Sequence, residues 1–188
     1  TPAARVPDTR IVSLDTAAQT ITLSRTPDTV LPGRYGLFTT GTSSYLKLGS
    51  VLSEDSTAVT RKLLTHVATD ADLAAEAAFS GWYFQHPDEL HLDYSAELIG
   101  SALGPCPAWL FPAGNGATWV IQVHGRGASR AECLRAVPEF HAAGITSLVV
   151  SYRNDGEAPR SRAGTYALGA TEWRDVDAAV AFARRNGA

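Results

Sequence analysis

The chain of 188 residues has no methionine, not even at position 1, and only two cysteines, Cys106 and Cys133. The missing initiator reads as a chain that begins inside a longer precursor. Two cysteines are too few for a disulfide scaffold, and each is expected as a small buried apolar residue. No run of 18 apolar residues occurs, so no transmembrane helix is encoded, and Thr1–Arg10 lack a signal-peptide core. The chain reads as soluble, and removal of an upstream segment would be compatible with an extracytoplasmic location. No strong charge excess exists either; the formal net charge is -3. That gives no electrostatic reason to expect nucleic acid or an anionic membrane as partner. The five histidines form no HxxxH pair and the cysteines no CxxC, so no metal site is expected.

What is present falls into two textures. Residues 1–88 carry short alternating segments: Ile11–Leu14, Thr20–Leu23, Tyr35–Thr39, Tyr45–Leu52 and Ala58–Leu64. Pro32-Gly33 and Glu54-Asp55-Ser56 punctuate them, which predicts a small, mostly antiparallel β module. Asp72–Phe79 suggests a short helix. Gly81-Trp82-Tyr83-Phe84 reads as a hydrophobic plug. Gly41-Thr42-Ser43-Ser44-Tyr45 does not form a nucleophile elbow, because Tyr45 stands where a second glycine is needed.

Residues 89–188 read differently. Leu92–Ile99 and Pro107–Phe111 look like paired strands. Trp119–Val123 and Leu148–Tyr152 are almost continuously apolar, as parallel strands covered on both faces require. Between them a helix is expected, with Ser129 and Glu132 as a capping box, Pro138 as a kink and Gly144 as terminator. A second helix follows, capped by Thr171, with Trp173, Val176, Val180 and Ala183 on one stripe. The expected order is β-β-β-α-β-α.

His124-Gly125-Arg126-Gly127 directly follows the first apolar strand. Its glycines permit a sharp turn and a close backbone approach to a ligand. Acyl transfer needs backbone N–H groups aimed at a developing oxyanion, and Arg126 is the expected donor. A plain glycine-rich turn is the competing reading. His124 is read as shaping the turn rather than as a base. Arg153, Asn154 and Asp155 end the next strand, where they line a pocket or pin the neighbouring loops; an arginine there wants a carboxylate or carbonyl partner. Tyr166, in the following loop, and Trp173 are candidate substrate contacts, with core packing the competing reading for Trp173. A dinucleotide site is a weaker alternative, with Arg153 meeting a 2′-phosphate, because Arg130 replaces the third fingerprint glycine.

The second half also resembles the α/β-hydrolase family, in its lysophospholipase-like and serine-aminopeptidase-like branch. The resemblance rests on "LGPCPAWLFPA", "WVIQVHGRGASR", "LVVSYRND" and "YALGATEWRDVDAAVAFARRNGA". It implies an α/β fold: the first part of an α/β-hydrolase sheet preceded by the β module. It implies a peptidase-like serine hydrolase, of serine-esterase type, that cleaves ester, thioester or amide bonds through an acyl-enzyme. This chain would supply part of the oxyanion hole through the Arg126 N–H, with His124, Gly125, Gly127, Arg153, Asn154 and Tyr166 at the substrate. Nucleophile, acid and base would lie outside this chain, which alone would be inactive. The implied partners are an acyl substrate and the C-terminal half of the same precursor, covalently linked or as a second chain. No cofactor is implied. A non-catalytic, hydrolase-like interaction module is the alternative.

Overall fold

A computed structural model describes residues 5–39, 45–71 and 73–188. The Gly41–Ser44 part of the elbow-like segment, and Asp72 of the expected helix, lie outside the described residues. The chain divides into two compact units, Ala4–Tyr83 and Phe84–Ala188, where the composition placed the change at 88/89.

The first unit is a closed antiparallel barrel. Its strands are β1 (Thr9–Asp15), β2 (Thr20–Ser24), β3 (Tyr35–Thr39), β4 (Tyr45–Glu54), β5 (Ala58–Leu63) and β6 (Glu76–Ser80). They run round the barrel in the order β1-β2-β5-β4-β3-β6. Alternation in the sequence becomes alternation of burial: Ile21 and Leu23 of β2, Leu46 and Leu48 of β4, and Val59 and Leu63 of β5 fill the interior. Each such side chain contributes about 1.5–3 kcal/mol by leaving water. Tight turns are set by Asp15 and Asp55, whose carboxylates accept the N–H groups of Ala17 and Ala18, and of Thr57 and Ala58. Bulges in β1 and β4 supply the curvature that closure needs. Gly36 of β3 cannot be replaced: a Cβ there would lie 2.3 Å from the Trp82 carbonyl oxygen.

Where a helix was expected over 72–79, Glu76–Ser80 form a strand. Glu-Ala-Ala-Phe favours a helix in isolation, but β6 pairs with β1 through Thr9↔Ala77 and with β3 through Phe38↔Ala78. Those two ladders close the barrel, and the pairing overrides local propensity.

The second unit holds β7 (Ser95–Ser101), β8 (Gly104–Phe111), β9 (Trp119–Val123) and β10 (Thr146–Val150), ordered β7-β8-β10-β9. The β7–β8 and β8–β10 pairings are antiparallel; β9–β10 is parallel. Helix α2 (Trp173–Arg185) covers one face, with Ala179 packed against Ile99, Ala108, Leu148 and Val150. Among the described residues no helix is long and apolar enough to cross a membrane.

Local expectations in this unit need correction. The single capped helix is a 3-10 segment, Arg130–Ala136, followed by a six-residue α-helix, α1 (Val137–Ala142). Pro138 sits in the first turn of α1 and does not kink a longer helix. It has no N–H to continue an α-helical ladder from the preceding turns, so the α-helix starts anew there. Ser129 makes no capping bond, and Glu132 accepts the Gly125 N–H instead, at 3.1 Å. The buried stripe of α2 runs through Asp175, Ala179 and Ala183, which leaves Trp173 56% exposed.

The implied α/β-hydrolase architecture is also overturned. The largest regular element is an antiparallel barrel, and the described residues are mostly β with two α-helices. The family's sheet is mainly parallel with helices over both faces. Among the described residues one of this unit's three pairings is parallel, and β9, expected to be covered on both faces, leaves Val123 44% exposed.

Candidate functional site

The second unit gathers polar chemistry at the carboxyl ends of the parallel pair β9 and β10. His124 follows β9, and Tyr152, Arg153, Asn154 and Asp155 follow β10. The His124 and Asp155 side chains are fully buried, with Nε2 3.1 Å from Oδ2. The other ring nitrogen, Nδ1, faces the Gly125 carbonyl at 2.9 Å, and the ring stacks on Tyr152 with centroids 4.3 Å apart. Neither nitrogen is left to act as a base. Burial would raise the Asp155 carboxyl. The bond to His124 and the N–H groups of Ala158 and Glu157 outweigh burial and hold it below the usual aspartate range.

This network orients the turn. The Gly125 carbonyl accepts the Ala128 N–H at 3.2 Å and the Tyr152 O–H at 3.2 Å, and faces His124 Nδ1. Three partners hold that oxygen inward. The peptide is trans, so the Arg126 N–H on the same peptide plane points the opposite way. Among the described residues no backbone carbonyl accepts from it. Gly127, at φ 78°, completes the turn in the left-handed region that glycine enters without strain.

Arg126 borders a cleft of about 440 Å³, a size suited to a small organic ligand. Val123, Leu168, Trp173 and Val176 form its apolar wall, and His124, Tyr152 and Tyr166 contribute rings. Leu168 is 77% exposed and holds φ at 51°, an uncommon conformation for leucine. Burial pushes the Tyr152 hydroxyl up to about 12, so it remains a donor at neutral pH.

Two buried pins hold the loop that carries Tyr166. Asn154 donates to the Thr165 carbonyl at 2.9 Å and accepts the Ser161 N–H. The Glu172 carboxylate accepts the N–H groups of Ala167 and Gly169 at 2.6 and 2.9 Å. Burial opposes the charge of Glu172, but these N–H bonds keep its pKa lowered. The cap position of α2 falls on Glu172 and not on the expected Thr171; Glu172 makes no capping bond and turns back to the loop. Arg153 is held by Asp175, with Nε–Oδ2 and Nη2–Oδ1 both 2.8 Å.

Of the residues singled out from the sequence, the cleft therefore brings together His124, Arg126 and Tyr166. Gly125 and Gly127 shape the turn beside it. Arg153 and Asn154 are buried behind the cleft, tied to Asp175 and to the loop. Leu168 and Glu172 were not expected at a site; Asp155 was expected, with Arg153 and Asn154, to line a pocket or pin loops, and Trp173 to pack in the core or touch substrate. Asp155 stood visible in the strand-ending Tyr-Arg-Asn-Asp, but its partner His124 is 31 residues away. Trp173 was placed in the core because a helical stripe does not reveal which side meets the sheet.

Residues 10–80 match the family model described as "Domain of unknown function (DUF8805)", a span that lies within the barrel unit and covers less than half the chain. No curated protein and no solved structure matches the chain. With the barrel, this match overturns the hydrolase family resemblance and the serine-esterase and peptidase-like labels attached to it.

Proposed function

We propose that the cleft beside β9 and β10 binds a carbonyl substrate, and that the second unit forms part of a hydrolase cleaving ester, thioester or amide bonds through an acyl-enzyme. The observation that carries this reading is the Gly125–Arg126 peptide. Its carbonyl is held inward by Ala128, Tyr152 and His124, and its N–H is left unpaired by backbone at a cleft with an apolar wall. A fixed donor costs no reorganisation when charge develops on a substrate oxygen. The acyl group would lie against Val123, Leu168, Trp173 and Val176. His124 is committed to Asp155 and to Gly125, so nucleophile, acid and base come from outside the described residues in this proposal.

The partner in this reading is the C-terminal half of the same precursor, covalently linked or as a second chain. β9 supports it. Among the described residues it has one neighbour, β10, and its sequence Trp-Val-Ile-Gln-Val carries no charge or proline to protect the other edge. That same edge favours the second reading, a non-catalytic module that docks a polypeptide strand. The dinucleotide alternative has less support, because the Arg153 guanidinium is already bound by Asp175.

Fluorophosphonate labelling of the complete gene product separates the readings. A hydrolase gives one labelled serine outside residues 1–188, and the isolated 188-residue chain gives no label and no turnover of p-nitrophenyl esters. Arg126→Pro in the complete protein removes the donor and should lower kcat by about 10²–10³. Absence of any label on the complete, folded protein overturns the hydrolase reading and leaves the docking module.

A further inference from the structure

Tyr166 lines the cleft, and its side-chain oxygen is left unsatisfied among the described residues. Its hydroxyl is buried and makes no hydrogen bond among the described residues. The Gly127 N–H damps the rise in its pKa, but an N–H can only donate, so the hydroxyl's own proton has no acceptor. Burial is the larger influence and keeps the group protonated, a donor at neutral pH. A buried hydroxyl without a partner is costly, and native structures seldom keep one without a use for it.

The placement is also held from both sides. The preceding residue, Thr165, is fixed by Asn154 through its carbonyl, and the following residue, Ala167, is fixed by Glu172 through its N–H. Asn154 and Glu172 are both buried, so two costly polar groups are used to hold one short stretch of loop. The Tyr166 ring meets Tyr152 edge-on, with centroids 6.1 Å apart. Tyr152 is the residue that holds the Gly125 carbonyl inward. The chain thus sets the phenol against the same turn whose Arg126 N–H meets no backbone carbonyl among the described residues.

We propose that the Tyr166 hydroxyl is the second hydrogen-bond donor of this site, and that it binds, together with the Arg126 N–H, the carbonyl oxygen of an acyl ligand. The inference rests on the carbonyl-binding reading of the cleft. It makes Tyr166 a binding residue for an uncharged acceptor oxygen and gives the hydroxyl its missing partner. The apolar wall then takes the remainder of the acyl group.

The test uses the 188-residue chain and butyranilide labelled with ¹³C at its carbonyl, a neutral acyl probe that needs no nucleophile. Tyr166→Phe removes only the oxygen. In the free chain the variant should melt at the same temperature or higher, because no protein hydrogen bond is lost. The probe should bind the variant more weakly, by roughly 3- to 10-fold, the worth of one hydrogen bond. Its bound carbonyl stretch should move to higher frequency, toward the value with one donor. A clear fall in melting temperature would show that the hydroxyl serves the fold, and would overturn the proposal. So would unchanged affinity and frequency in a variant that folds normally. Failure of the probe to bind the unaltered chain would instead strike the carbonyl-binding reading, and this proposal with it.

Discussion

Each unit buries an arginine, and the two are stabilised in opposite ways. Arg61 of the barrel is fully buried, without a carboxylate. Its guanidinium donates to the carbonyls of Thr29, Leu31, Gly33 and, twice, Gly49, at 2.7–3.1 Å. Tyr35 and Phe79 lie beside it, with centroids 5.3 and 5.7 Å away. Arg153 of the second unit meets one residue, Asp175, through paired bonds of 2.8 Å. Burial lowers the pKa of Arg61, whereas the hydrogen bond to Asp175 raises that of Arg153. The guanidinium remains charged in both places. A planar fork of five donors can be satisfied by backbone dipoles alone when loops are folded round it. In the barrel it therefore ties the 29–33 connection to the bulged strand β4. In the second unit it ties the end of β10 to α2, and so holds the floor on which the cleft rests.

The sharpest way to break the comparison is to remove each charge. Arg61→Leu should cost the most, about 4 kcal/mol or more, since it leaves four carbonyls without donors and no second substitution can repair backbone groups. Asp175→Leu should cost about 3–5 kcal/mol by leaving Arg153 buried and unpaired. Adding Arg153→Leu should recover most of that loss, because an apolar pair can replace a buried ion pair. Urea unfolding of the three variants measures the contrast. A double variant no better than Asp175→Leu would show that the pair's other bonds, such as that from the Arg153 N–H to Asp175, matter more than its charge.

Acid should separate the units next. Asp155, Glu172 and Asp175 are all held below their ordinary values of 3.8, 4.5 and 3.8. Groups with depressed folded pKa values contribute stability that is full above their unfolded values and is lost as the pH falls through the folded ones. Below about pH 4 the second unit should therefore weaken, while Arg61, bound to carbonyls, does not titrate there. Asp55 of the barrel is also lowered, by the N–H groups of Thr57 and Ala58, but lies fully in solvent. Amide exchange followed residue by residue from pH 6 to pH 2 should show β10 and α2 losing protection before β2 and β5. Simultaneous loss would sink this assignment.

The smallest effect on stability is expected at the cleft wall. Trp173 is more exposed than buried, so Trp173→Ala should change unfolding free energy by less than about 1 kcal/mol. It should nevertheless weaken binding of an apolar acyl probe. A large loss of stability would return Trp173 to the core, where its helical spacing first placed it.

Local chemistry made parts of this protein legible in its residues. The alternating segments at 11–14, 20–23, 35–39, 45–52 and 58–64 all lie in strands or at their ends, because side chains on a strand alternate between faces whatever the topology. The glycines of His124-Gly125-Arg126-Gly127 likewise foretell a turn, since glycine opens backbone conformations that other residues resist. Position and partner were decided only in three dimensions. β6 is a strand because two neighbours needed it to close the barrel, and an apolar β9 is an edge because β10 lies on one side only. Arg61 gave no signal, because its partners are backbone carbonyls, which every residue carries and no sequence pattern marks. The same is true of the cleft: His124 with Asp155, Arg153 with Asp175, and the two pins around Tyr166 join residues 5 to 31 positions apart. Which of many carboxylates meets which cation follows from packing distance, and that is a property of the folded chain.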